Sequence, residues 1–160
     1  MGDRFTFGFV DKTNGDTIYL YSHWGGESKF DDLKRAISHA NGRWDDVSYA
    51  NRIAISQIVG ESWKHSTGYG LSVNSILETE YPFVLVTDFS NGVVSAYEYK
   101  DTDNEVAELL VVWKLGTFVS TPTAVLAEAV YKALSEVAKE QPYEGESDDP
   151  RWEDVGGFQL

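Results

Sequence analysis

The fold is decided by residues 4–23, which read RFTFGFVDKTNGDTIYLYSH. Over residues 4–11 phenylalanines recur at every second position, as in a strand with one buried face, and residues 17–23 form a second β-rich run. Between the two runs stands Asn14-Gly15, a strong hairpin signal, because both residues accept the positive φ of a type I′ turn. The stretch therefore predicts an antiparallel β-hairpin.

The turn type sets the register of this hairpin. A two-residue turn places Phe9 opposite Leu20, whereas a three-residue bulged turn shifts that pairing. Because side chains alternate along a strand, His23 shares one face with Tyr19 and Tyr21.

The rest of the chain contains helical and β-type segments in separate groups. Apolar residues recur at helical spacing in residues 28–42, 46–67 and 121–140, and β-type runs occupy residues 71–76, 83–87, 93–99 and 109–119. The order ββ-αα-ββββ-α has no β-α alternation, so it predicts an α+β fold with a mostly antiparallel sheet of four to six strands and three helices. We expect the helix over residues 46–67 to be the most buried.

Composition favours one folded domain followed by an acidic tail. The chain has 160 residues, of which 42% are hydrophobic and 14% aromatic, enough for a packed core. Seven of the 26 acidic side chains lie in the last 21 residues, where no periodicity is found. We expect a single α+β domain over residues 1–140 and an acidic, flexible tail over residues 141–160.

Charge and hydropathy argue against several functional classes. A formal net charge of -13 repels phosphate backbones, so direct nucleic-acid binding is not expected. No apolar run is long enough to span a membrane, and Met1 is followed by polar residues rather than by a signal region. We therefore expect a cytoplasmic protein without membrane contact. The absence of cysteine excludes disulfides and thiolate zinc sites.

Motifs for catalysis or cofactors are missing. The three histidines are not arranged as HExxH or as an i, i+4 pair, and no GxSxG, Walker or GxGxxG motif occurs. Ser22 and His23 are adjacent, so a strand would direct them to opposite faces. The sequence thus favours a protein that is not an enzyme and predicts no cofactor or metal, with a small hydrolase using His23 as a remote alternative.

Residues 23–26 are the first candidate binding segment. His23 and Trp24 end the second strand, and Gly25 and Gly26 follow, which allow close approach of a ligand to the backbone. The alternative is a strand-exit turn in which Trp24 caps the core.

A stripe along the second helix is the other candidate binding surface. It consists of Tyr49, Arg52, Ser56, Val59 and Trp63 at 3-4-3-4 spacing. These side chains can stack on a ring and pair with an anion, since guanidinium binds carboxylate or phosphate in a fork. The alternative for Arg52 is an internal salt bridge.

Parts of the chain resemble a known group of proteins. Residues 21–26, residues 43–46 with Arg52 and Ile53, and residues 67–70 are similar to small proteins of unknown function encoded by bacteriophages of actinobacteria. The resemblance covers roughly the first 90 residues and implies a viral accessory protein acting in a bacterial cytoplasm. It implies no activity and no catalytic residues.

Two functional classes follow. The first is a noncatalytic binding protein, of a phage accessory or counter-defence type, that sequesters a small anionic, nucleotide-like ligand or binds a host protein. Its candidate site comprises His23, Trp24, Gly25, Gly26, Tyr49, Arg52, Ser56 and Trp63. The alternative is an acidic mimic of DNA that inhibits a host DNA-binding protein. The sequence does not determine the oligomeric state.

Overall fold

The computed structural model describes residues 2–12, 15–76, 78–100 and 105–140. Within this part of the chain lie six strands, four α-helices and two short 3-10 segments, Asn41–Arg43 and Gly60–Lys64. The strands are β1 (Phe5–Val10), β2 (Thr17–Ser22), β3 (Tyr69–Val73), β4 (Phe83–Asp88), β5 (Val93–Lys100) and β6 (Glu105–Lys114). The helices are α1 (Lys29–His39), α2 (Val47–Val59), α3 (Leu115–Ser120) and α4 (Thr123–Glu140). The α+β class is the one predicted.

All six strands form one mixed sheet in the order β3-β2-β1-β4-β5-β6. Neighbouring strands are antiparallel except β1 and β4, which run parallel. The parallel pair arises because the segment between β3 and β4 returns across the sheet: Ile76 packs beside Tyr19 of β2, and Thr79 and Glu80 hydrogen-bond to the carbonyl oxygen of Arg4. The mostly antiparallel prediction is confirmed, with one parallel pair that local patterns did not indicate.

The two faces of the sheet carry two apolar clusters. The alternation over residues 5–9 places Phe5, Phe7 and Phe9, all fully buried, against side chains of all four helices. On the other face a smaller cluster contains Tyr19 and Val84 and is covered in part by Ile76. The helix layer therefore lies on one side of the sheet only.

The hairpin register differs from the prediction by two residues. Phe9 pairs with Ile18 rather than with Leu20. The amide of Asp11 donates to the carbonyl oxygen of Asp16 (2.6 Å), so the connection is longer than two residues; Asn14 lies outside the described residues. A shift by two leaves every side chain on its predicted face, because the side-chain period of a strand is two.

The second helix is shorter than predicted. It ends at Val59 rather than near residue 67, because Gly60 adopts φ +60°, a conformation that interrupts the helix and that L side chains rarely adopt. The chain continues as the 3-10 segment Gly60–Lys64. The structure does not single out this helix as the most buried, since five of its 13 residues are buried, against five of 11 in α1.

The β-type run at residues 109–119 is divided between a strand and a helix. β6 ends at Lys114, and residues 115–120 form α3, so the structure has one more α-helix than predicted. Leu115 and Phe118, one helical turn apart, are both buried, and the Trp113 and Phe118 ring centroids lie 5.3 Å apart. Core packing thus overrides the β propensity of this segment. The last helix is confirmed, with Leu126, Val130 and Leu134 buried, and the predicted tail over residues 141–160 lies outside the described residues.

Candidate functional site

The predicted stripe on α2 does not form one continuous surface. Tyr49 and Arg52 are exposed, Ser56 is half-buried, and Val59 is buried against the core. Trp63 follows on the 3-10 segment, where the helical spacing no longer applies. Trp63 therefore lies off the helix that carries Tyr49, Arg52 and Ser56, although it lines a groove together with Val59.

The exposed face of α2 carries one cationic side chain, Arg52, and a second, Arg43, lies just before the helix. The guanidinium of Arg43 stacks over the Tyr49 ring at 4.5 Å and also approaches Asp46 at 3.5 Å. Arg52 forms no ion pair with any residue in the described part of the chain. The internal salt bridge considered for Arg52 is thus not found among these residues.

Residues 23–26 are tied to the beginning of β3. The amide of His23 donates to the carbonyl oxygen of Gly68 (2.9 Å), and the Trp24 ring lies against Gly68. Trp24 is 61% exposed and meets the His23 ring edge to face at 4.6 Å. Trp24 therefore lies on the surface beside the first residues of β3 and does not cap the core.

The imidazole of His23 is hydrogen-bonded within the chain. Its Nδ1 shares a 2.7 Å hydrogen bond with the hydroxyl of Tyr21, which lies on the same face as predicted. Gly2 lies so close that a Cβ there would be 2.6 Å from Nε2. Ser22 is buried and, by strand alternation, points to the helix side. This geometry gives no support to a hydrolase using His23.

The space beside Gly25 and Gly26 is occupied by other side chains of this protein rather than left open for a ligand. A Cβ at Gly26 would collide with the Tyr81 ring and the carboxylate of Asp3, and a Cβ at Gly25 would collide with the Ser22 hydroxyl. The amide of Gly26 also donates to the carbonyl oxygen of Asp3 (2.9 Å). These glycines thus serve internal packing.

An apolar groove of about 230 Å³ lies between the 3-10 segment and β3. We call it the Trp63 groove. Its lining contains no lysine, arginine or carboxylate side chain, and Trp63 at its rim is 52% exposed. The lining residues are Leu20, Val59, Ser62, Trp63, His65, Thr67, Tyr69, Gly70 and Leu71.

The groove adjoins a sheet edge that carries exposed apolar side chains. β3 pairs only with β2, so the backbone groups on its other side have no strand partner in the part of the chain that the structure describes. Leu71 and Val73 are 54% and 59% exposed. We call β3 together with the Trp63 groove the β3 surface. Sequence reasoning predicted the strand but not its edge position, which depends on strand order.

A second, more polar pocket of about 570 Å³ lies where α2 begins. Asp11, Asp45 and Asp46 contribute three carboxylates, against the two cations of Lys12 and Arg43. This charge balance does not favour an anionic ligand.

A buried lysine is the feature that the sequence analysis missed. Lys29 is 7% exposed, and its ammonium lies 3.8 Å from the centre of the Tyr81 ring and 5.5–5.7 Å from the centres of three phenylalanine rings. It donates a 2.8 Å hydrogen bond to the carbonyl oxygen of Gly26. Burial lowers the pKa of Lys29 to about 8, and the nearby Asp3 carboxylate opposes this shift.

The pKa of Tyr81, whose ring contacts the Lys29 ammonium, is shifted upward rather than downward. The Tyr81 hydroxyl donates a 2.7 Å hydrogen bond to Asp3. Burial, and then this bond to Asp3, raise the pKa of Tyr81 above its ordinary value. The cluster joins the N-terminal segment, α1 and the beginning of β4.

No protein-family model, curated protein or solved structure matches this chain. Among the described residues, no group of three or more histidine or acidic side chains is placed to hold a metal ion. No helix in that part of the chain has the length and apolar character needed to cross a bilayer. The alternative of a DNA mimic invokes the acidic side chains, of which six of 26 belong to residues 141–160, outside the described residues.

Proposed function

We propose that this chain is a noncatalytic binding protein whose working surface is the β3 surface, where it binds another polypeptide. One observation carries the proposal: an open sheet edge, an apolar groove and two exposed apolar side chains, Leu71 and Val73, occur together there. Unpaired strand edges beside exposed apolar groups are a hazard that natural proteins usually block. A surface that lacks such protection is typical of a binding site.

The chemistry of the groove favours a polypeptide over a small anion. A nucleotide-like ligand requires cationic or amide donors, whereas the Trp63 groove has no lysine or arginine in its lining. Arg52, the anion anchor expected from the sequence, lies on the exposed face of α2 instead. A polypeptide can use what β3 offers, because an extended segment pairs with edge backbone groups and fills apolar pockets with alternate side chains.

Two exposed tryptophans support the same proposal. Trp63 lies at the rim of the groove, and Trp24 lies beside Gly68 just before β3 begins. Tryptophan is enriched among the residues that contribute most to protein interfaces, because it buries a large area at a small entropic cost. The two rings therefore lie where they can anchor a partner.

The resemblance of residues 21–26 and 67–70 to small bacteriophage proteins bears on where the binding takes place. It favours binding in the cytoplasm of a bacterial host. Both residue ranges lie at or next to the β3 surface, which is the reason to connect the resemblance with this surface.

Site-specific photo-cross-linking tests the proposed function. A photoreactive phenylalanine derivative is placed at Val73 and, as a matched control, at Val125 of α4, which is 50% exposed. In expressing cells, we expect covalent adducts with a polypeptide from position 73, and far fewer from position 125. Equal yields at the two positions, or none at position 73, would contradict the proposal.

A further inference from the structure

We infer that a second copy of this chain docks on the β3 surface, with the two β3 strands antiparallel about Leu71 and the two sheets joined into one. The inference rests on the proposed function and names the partner of that surface. It predicts a twofold-symmetric dimer in which each chain contributes the same residues.

Side-chain pairing makes β3 complementary to itself. An antiparallel pair centred on Leu71 sets Leu71 opposite its own copy and Tyr69 opposite Val73. These three residues occupy the face of the sheet that carries Leu20, since Leu71 pairs with Leu20 and Val73 with Ile18. Apolar side chains thus meet apolar side chains on this face, an arrangement that stabilises cross-strand pairs.

The other face of the same strand presents small residues. Gly70 is set opposite Ser72 in this register, so no bulky side chain opposes another there. Pairing about Gly70 would instead set Val73 opposite Thr67, and pairing about Ser72 would set Tyr69 opposite Ser75. Among these three registers, only pairing about Leu71 gives every apolar side chain of the strand an apolar partner. The strand therefore favours pairing about Leu71 over its neighbours.

Charge explains why a chain this acidic can meet its own copy at β3. With a formal net charge of -13, two copies repel each other over most approaches. Residues 69–73 contain no charged side chain, and the lining of the groove contains no carboxylate. Pairing at β3 therefore places no acidic side chains of the paired strands opposite each other.

The docking also covers what each monomer leaves exposed. Pairing satisfies the outer backbone groups of both strands, and it brings two Leu71 side chains and two Trp63 grooves together beside the twofold axis. Leu71 and Val73, each more than half exposed in the single chain, then lose much of their contact with water.

Sedimentation velocity of the purified full chain over a concentration series tests the inference. We expect a monomer–dimer equilibrium in the wild type. Leu71→Lys places two ammonium groups opposite each other at the axis, so it should weaken the dimer at least about tenfold. Leu109→Lys is the matched control, because Leu109 is 51% exposed on the opposite edge strand, and it should leave the dimer unchanged.

A charge exchange keeps the test independent of folding defects. Leu71→Lys and Leu71→Glu should each be monomeric, while an equimolar mixture of the two variants should form a heterodimer, because opposite charges then face each other. A mixture that stays monomeric, while both variants retain the wild-type circular dichroism, would overturn the inference.

The remaining outcomes separate this inference from the proposed function. A wild type that sediments only as a monomer, or a dimer lost with Leu109→Lys but not with Leu71→Lys, overturns the inference. If position 73 then cross-links to a foreign polypeptide, the proposed function stands and only the second copy is wrong. If position 73 cross-links to nothing, both fail.

Discussion

The two edge strands of the sheet expose apolar side chains to a similar extent but are protected very differently. On β6, Leu109 and Val112 are 51% and 47% exposed, close to the values of Leu71 and Val73 on β3. β6 also contains the exposed charges Glu108 and Lys114, and its pairing with β5 is interrupted by two register shifts. β3 has no charge and keeps an uninterrupted register with β2.

This difference shows that exposure alone does not identify a binding edge. Charges and bulges are the usual means by which sheet edges avoid pairing with other strands, and only β6 has them. The helix layer adds to the contrast, since α3 and α4 pack beside β6, whereas the described helices leave Leu71 and Val73 of β3 more than half exposed. The unprotected edge is therefore the better candidate for a functional surface.

The largest expected effect tests whether the helix-facing side chains of the two edges differ in their contribution to folding. Trp113 of β6 packs on Phe118, so Trp113→Ala should lower the free energy of unfolding by about 2 to 4 kcal/mol. Leu71→Ala on β3 should cost less than about 1 kcal/mol, because that side chain is already half in water. Urea unfolding of the two variants, at protein concentrations that keep the chain monomeric, measures both losses. Equal losses would remove the contrast between the edges.

A smaller effect is expected where β3 is anchored to its neighbour. Asn74 has φ +63°, its Oδ1 accepts a 2.8 Å hydrogen bond from the Thr17 amide, and its Nδ2 donates to Asp16. Asn74→Ala loses both bonds and strains the backbone, so it should cost about 1 to 2 kcal/mol. Asn74→Gly loses the bonds without the strain and should cost less. If thermal unfolding shows Asn74→Gly to be less stable than Asn74→Ala, backbone strain does not account for the cost of the alanine variant.

The third prediction concerns Lys29, whose ammonium lies over rings of the central strands β1 and β4, between the two edges. The pKa of Lys29 is about 8 in the folded chain and 10.5 ordinarily, so the unfolded chain binds more protons between these pH values. Raising the pH from 8 to 10 should therefore stabilise the wild type relative to Lys29→Met, which lacks this titration. The raised pKa of Tyr81 acts in the opposite direction above pH 10, so the comparison is confined to pH 10 and below.

Denaturant unfolding of both proteins at pH 7, 8, 9 and 10 measures this difference. Asp3, Glu27 and Tyr131 are the other titratable groups around the cluster, and they are retained in both proteins. A constant difference across the series would show that the Lys29 ammonium keeps its ordinary affinity for protons in the folded chain.

The smallest effect is expected on the exposed face of α2, away from both edges. Arg52 forms no ion pair with a described residue, so Arg52→Ala should change the free energy of unfolding by less than about 0.5 kcal/mol. A loss of several kcal/mol in chemical denaturation would indicate that the guanidinium balances a buried carboxylate.

The sequence predicted the faces of the elements better than their partners. The alternation of Phe5, Phe7 and Phe9 and the stripe of α4 appear in the structure as the buried faces expected. Local spacing is sufficient for this, because it determines which side of a strand or helix is apolar. The register of the hairpin was missed, and local spacing does not show that Asn74, distant in sequence, hydrogen-bonds to Asp16 and Thr17 beside the turn.

The candidate site was predicted only in part, for a related reason. Trp24, Trp63 and Tyr49 are exposed, but the interpretation of Trp63 and Tyr49 as one helical stripe assumed a helix that Gly60 ends. Gly25 and Gly26 were correctly recognised as places of close approach, yet the groups that approach are Ser22, Tyr81 and Asp3. Which atoms fill such a space is not encoded in the local residues.

By itself, the sequence determined the α+β class, the helix-facing phenylalanines and the absence of charge in residues 69–73, since each follows from composition or from short-range periodicity. Only the tertiary structure decided that β3 is an edge strand, that its apolar face borders the Trp63 groove, and that Lys29 is enclosed by aromatic rings. These features depend on which distant segments pair, and pairing is settled by packing of the whole chain rather than by any one segment.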